Sequence, residues 1–156
     1  MAKRRKQTFP DWRKWLPTLH EEVELCDPAS EGTVKAAENA LCINFPDALR
    51  SLLLSTDGVV GPFGCWLVWP AEMIVSENRE YRSSPDLKGQ YMPFDHLLFI
   101  GEVGNGDLFA YPIMSDGNAC YKNDIFRWDH EMDNRSWVAN NLEQYLRGFT
   151  DGTISE

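Results

Sequence analysis

Helical spacing dominates the first third of the chain. Within Phe45–Gly58, Leu49, Leu52 and Leu53 recur at i, i+3 and i+4 and form one apolar stripe. Pro46 suits a first helical turn, where its missing N–H costs nothing. Gly58 suits the left-handed conformation that stops a helix. A short buried helix over 46–55 is therefore predicted. Just upstream, Ser30 is placed to cap a helix over 31–41, in which Val34, Ala37 and Leu41 share a face. Farther back, Trp12, Trp15, Leu16, Leu19 and Val23 keep helical spacing, but Pro17 interrupts it. The expectation there is a turn and then a helix over 18–25. Thr18 would be its N-cap, with Glu21 three residues on as in a capping box.

After Gly58 the pattern changes. Val59–Gly64 reads as a turn-rich loop and Cys65–Trp69 as a strand ended by Pro70. Pro70 is placed to open a helix over 71–81. Residues 82–93 hold two prolines and Gly89 and read as an irregular loop. Leu97–Ile100 is a short apolar strand, and Asp107–Ile113 returns from a turn marked by Asn105-Gly106. Pro112 belongs at a strand end, since it has no N–H for a ladder. Ile125–Trp128 is a further strand, and Trp137-Val138 pair back after a polar turn over 129–135. Asn140 then caps a last helix over 141–148, with Leu142, Tyr145, Leu146 and Phe149 facing inward. Helices, then strands with one inserted helix, then a closing helix define an α+β domain: one antiparallel sheet covered by helices. The expected division is a basic leader (1–8), one domain (9–149) and a C-terminal tail (150–156).

Composition narrows the classes. A chain of 156 residues with 43% hydrophobic and 12% aromatic residues lies well outside the disordered class and has enough core to fold without metal or disulfide staples. Lys3-Arg4-Arg5-Lys6 is followed by polar residues, not by the apolar stretch of a signal peptide. Cys26, Cys42, Cys65 and Cys120 lie far apart, with no CxxC pair, as reduced thiols of a cytoplasmic protein would. Charge is unevenly spread. Residues 1–14 hold six of the 15 basic groups and one of the 24 acids, so the rest of the chain carries net −14 behind a +5 leader. Such a body repels nucleic acid and anionic membrane and attracts a basic partner within a Debye length of about 8 Å.

Several chemistries were weighed. Gly64-Cys65-Trp66 superficially matches the surroundings of a papain-type nucleophile, which needs a histidine partner. His130 lies 65 positions downstream, far short of the spacing that family uses. Asp129-His130-Glu131 is the one tight group of metal-ligand types, but neighbouring strand residues point to opposite faces and would not converge. Gly104-Asn105-Gly106-Asp107 lacks the context of a phosphate loop. No catalytic residue, cofactor or metal is expected. The six tryptophans are mainly core candidates, though an exposed Trp12 or Trp15 beside an acidic rim would suit a partner surface.

The order of these pieces resembles the SUKH superfamily, named after the fungal Smi/Knr-type cell-wall regulators. Its signature is a short helix opened by an apolar residue and proline and closed by Asn-Gly or Asp-Gly, as in Phe45-Pro46 and Asp57-Gly58. Ala36–Leu41 resembles its acidic first helix. Leu97–Gly101 with Gly104–Tyr111 resembles its central hairpin, and 125–131 with 138–149 its last strands and closing helix. The Trp-rich leader and the 82–93 loop have no counterpart in that pattern. The resemblance implies a non-enzymatic protein-binding domain: a bacterial immunity protein that occludes a toxin module such as a nuclease, or a regulatory interaction domain of the Smi/Knr type without a toxin. The expected partner is a basic toxin module, and the expected state a monomer or homodimer. Candidate contacts, chosen by charge and turn position, are Asp57, Glu102, Asp107, Asp129 and Glu131, with Trp66 as an apolar anchor.

Overall fold

The computed structural model describes residues 8–113 and 123–154; Cys120 and the leader's basic run lie outside them. The α+β class holds, with two antiparallel sheets among the described residues. The smaller has the order β1 (Glu24–Leu25), β2 (Val59–Val60), β3 (Trp66–Val68), and the larger runs β4 (Leu97–Glu102), β5 (Leu108–Pro112), β6 (Ile125–Trp128), β7 (Arg135–Ala139).

The helices follow their sequence signals closely in the middle of the chain. In α2 (Glu31–Leu41) the Ser30 hydroxyl accepts from the Thr33 N–H at 3.1 Å. Helix α3 (Asp47–Ser55) starts directly after Pro46 and buries Leu49, Leu52 and Leu53 completely. Full burial of a leucine is worth about 1.5–3 kcal/mol each, so this stripe is a principal anchor of the fold. Glu38 of α2 is buried, and its carboxylate accepts from the Phe45 N–H at 2.9 Å and from Arg50 Nη2 of α3 at 2.7 Å. That contact fixes the corner between the two helices. Helix α3 ends with an extended Thr56, so Gly58 does not cap it. Gly58 instead packs where a Cβ would meet the Trp66 ring at 2.8 Å.

The N-terminal expectation is corrected. Residues 18–25 form no helix: α1 (Trp12–Trp15) runs into a 3-10 turn over Leu16–Thr18, and Glu24–Leu25 pairs with Val60 and Val59. The helical spacing was real, but it belongs to α1 and that turn, which bury Trp12 and Leu16 against the core. Trp12 is therefore no partner anchor, and its Nε1 donates to Ser51 Oγ at 3.0 Å. Trp15 is half-buried with the Arg147 guanidinium 5.6 Å above its ring. Arg13 donates to the carbonyls of Cys26 and Ser55, the second at the C-terminus of α3, where a cation is favoured. Val59-Val60, placed in a loop by the glycines around it, is a strand: β-branched residues outweigh the turn signals once a partner strand is present.

Helix α4 (Ala71–Ser83) and the short α5 (Pro85–Lys88) replace the first half of the expected 82–93 loop. The closing helix α6 (Leu142–Thr150) starts one residue later than read. Asn141, not Asn140, is its cap, accepting from the Gln144 N–H at 2.8 Å, while the Gln144 side chain accepts from the Asn140 N–H at 3.1 Å. Ile154, in the expected tail, turns back so that its N–H donates to the Gly148 carbonyl.

The two sheets meet at β3 and β4. The register of β4 against β5 slips between Phe99 and Gly101, leaving Ile100 as a bulge. Its carbonyl accepts from the Trp69 N–H at 2.7 Å. Next to it, a Cβ on Gly101 would sit 2.1 Å from the Leu67 carbonyl oxygen. The same oxygen accepts from the buried Tyr145 hydroxyl of α6 at 2.6 Å. Asn78 of α4 closes the other side: its amide donates to the Phe99 carbonyl and accepts from the Phe99 N–H.

Gly101→Ala is expected to be among the most damaging small substitutions in this chain. The obstructing atom is backbone, which no rotamer change removes, so the sheets must part. A loss of about 3 kcal/mol or more is anticipated, read as a lowered midpoint of urea denaturation.

Candidate functional site

Three surface features stand out on this frame, and each arises from a turn. The first is the end of the β4–β5 hairpin. Asp107 is buried (4% exposed), and its carboxylate is fully engaged. Oδ2 accepts from Arg127 Nε at 2.8 Å and Nη2 at 2.6 Å, and Oδ1 accepts from the His130 N–H at 3.1 Å and meets His130 Nδ1 at 2.6 Å. Burial alone would raise the Asp107 pKa, but the hydrogen bonds from His130 and Arg127 outweigh it and lower it. His130 is raised in return, chiefly by its hydrogen bond to Asp107.

Asp129 joins this group: candidate ligand atoms of Asp107, Asp129 and His130 lie within 4.8 Å of one another. On a continuing strand Asp129 and His130 would diverge. They converge because β6 has ended and residues 130–132 form a turn. The arrangement is a charge-balanced clamp, since Arg127 and His130 already occupy both oxygens of Asp107. A cation would have to displace one of them.

The second feature is the segment after α5. Met92 N–H donates to Asp133 Oδ2 at 2.8 Å, and Arg135 donates to the carbonyls of Met92 and Pro93 and to Asp133 Oδ1. Tyr91 Oη donates to the His130 carbonyl at 2.8 Å. Beneath lie Tyr81, Tyr91, Phe94, Phe99 and Trp128, ring against ring at 5.0–6.0 Å. Spacing along the chain gave no sign of this clasp, because its partners are about 40 residues apart.

The third feature is the turn Pro62-Phe63-Gly64 ahead of β3. Pro62 is buried, yet Phe63 is 91% exposed, the most exposed large apolar side chain among the described residues. Its backbone is left-handed, φ 64° and ψ 16°, a conformation that costs a residue with a Cβ about 1–2 kcal/mol. The ring stands at the mouth of an open cleft of about 600 Å³ whose other walls include His20, Cys65, Val103, Phe149 and Ile154. Sequence reading missed Phe63; the sole signal was an aromatic between a proline and a glycine.

The predicted contact residues are scattered over this surface. Asp57 is engaged structurally, its Oδ1 accepting from the Ala71 N–H at the start of α4 at 2.8 Å. Glu102 accepts from the Trp66 N–H at 3.4 Å, so these two residues bridge the sheets, both half-buried. Asp107 is removed from the candidates by burial. Asp129 accepts from the Glu131 and Met132 N–H groups. Glu131 alone of the six is fully exposed.

A frame of α2 and α3 leading into a central hairpin, two further strands and a closing helix defines a single-domain α+β protein with its distinctive groups on turns. The family model described as SMI1 / KNR4 family (SUKH-1) matches residues 28–148, and the chain belongs to that family. Domains of this family are generally non-catalytic immunity or Smi/Knr-type domains. A comparison with curated proteins gave no match. Among the described residues no helix is long and apolar enough to cross a membrane.

The Asp107–His130 pair sets a pH signature. The raised His130 contributes stability that is complete below the ordinary histidine value of 6.5 and is lost as pH rises through its elevated pKa. The lowered Asp107 contributes stability that is present above 3.8 and is lost as pH falls through its depressed pKa. As pH rises above 6.5 and through the raised His130 value, wild type should lose denaturation midpoint, and His130→Asn should lose less over the same interval. Equal losses in the two proteins would show that the pair carries no linkage.

Proposed function

We propose that this protein is an immunity protein that binds a basic toxin module and occludes it. The observation that carries the reading is family membership joined to a body of net −14 outside the first 14 residues. Acidic residues would steer a basic module into encounter, and apolar contacts would hold the complex. Cys65 lends no support to a hydrolase: its Sγ lies 3.6 Å from the Val103 carbonyl, and the histidine nearest it in the cleft, His20, accepts from the Glu22 N–H through Nδ1. A compartment shared with the toxin-producing cytoplasm follows from the same reading.

A regulatory interaction domain of the Smi/Knr type without a toxin is the second reading, and the family description covers it equally. The two part on one experiment. The immunity reading expects a neighbouring reading frame for a large secreted protein, and co-expression with that protein's C-terminal module should restore growth that the module alone abolishes. Failure to rescue, with both proteins expressed, favours the regulatory reading. In stopped-flow mixing of the purified pair, raising salt from about 50 to about 300 mM should slow association several-fold and leave dissociation nearly unchanged. A salt-independent association rate rejects the steering.

A further inference from the structure

We infer that the cleft beside Phe63 is the docking face for the basic partner, with Phe63 as the projecting anchor; this rests on the immunity reading above. An aromatic ring 91% exposed is unfavourable in isolation, and here it sits on backbone that only glycine adopts freely. A glycine would relieve both. Strain that serves no packing points to a use of the side chain itself. The anchor has a receptacle next to it: Val103, Phe149 and Ile154 give the cleft apolar walls open to solvent.

Charge identifies the occupant. Among the described residues no lysine or arginine lines the cleft, and the one carboxylate that does, Asp151, is held ionised by hydrogen bonds from Thr153. Glu21 and Glu22, both exposed, follow the lining residue His20 in the chain. The nearby cation on α6, Arg147, is stacked over Trp15. A cleft with apolar and polar walls, one carboxylate and a net negative body around it fits a protein surface that presents an apolar side chain among lysines and arginines, and it repels a second copy of this acidic chain.

The test uses the same neighbouring toxin module and measures its affinity for four proteins. Phe63→Gly should weaken binding about 30-fold or more while its melting temperature stays equal to or above wild type, because the left-handed backbone is relieved. Asp151→Lys, at the end of α6 and outside the Pro62–Gly64 turn, should slow association and weaken binding. Trp137→Ala, which removes an exposed ring on β7, should bind as wild type. Wild-type affinity in Phe63→Gly or in Asp151→Lys overturns the assignment and leaves the immunity reading intact. A module that does not bind wild type overturns the reading and the assignment together. A concentration-dependent dimer abolished by Phe63→Gly gives the face to a second copy and likewise overturns it.

Discussion

The contact between Gly101 and the Leu67 carbonyl is the constraint on which the rest of the structure depends. The smaller sheet, built of two- and three-residue strands, has little pairing of its own to hold it. It becomes one body with the larger sheet because β4 bulges at Ile100, turns a carbonyl toward Trp69, and lets the next residue lie against β3 with no side chain between. The Tyr145 hydroxyl of α6 donates to the Leu67 carbonyl, and Asn78 of α4 bonds both backbone groups of Phe99. The sheet junction, the inserted helix and the closing helix are thus set by a few backbone groups along β4 and at Leu67 of the facing β3.

Buried polar groups repeat this logic elsewhere. Glu38, Thr56, Asn78 and Asp107 are the buried polar and charged residues among those described. Each bonds beyond its own element: Glu38 to Phe45 and Arg50, Thr56 to the Cys26 N–H, Asn78 to Phe99, and Asp107 to Arg127 and His130. An unsatisfied buried group costs about 1–3 kcal/mol. A slip in register at any of these points would orphan one of them, whereas apolar contacts alone tolerate slippage.

What the chain revealed beforehand follows from range. Helices α2 and α3 were legible because their caps and stripes are local: Ser30 with Thr33, Pro46 with Asp47, Leu49 with Leu52 and Leu53. The β4–β5 hairpin and β6–β7 were legible from Asn105-Gly106 and from apolar runs. The stretch 18–25 misled because Trp12, Trp15 and Leu16 lend helical spacing to neighbours whose actual partner, Val59-Val60, lies about 35 residues away. The splitting of the sheet at Gly101 and the Asp133–Arg135 clasp are long-range facts with no local trace. At the candidate site, charge picked out carboxylates, but sequence could not tell that Asp57 and Asp107 are consumed internally while Phe63 is left in water.

The buried frame and the Phe63 ring are physically separate in this molecule. None of the four buried polar clamps involves Pro62-Phe63-Gly64, and the Phe63 ring contributes almost nothing to the interior. Exchange of that one side chain therefore leaves folding untouched, and under the proposed immunity role a lineage could trade one antagonist for another while keeping the same scaffold.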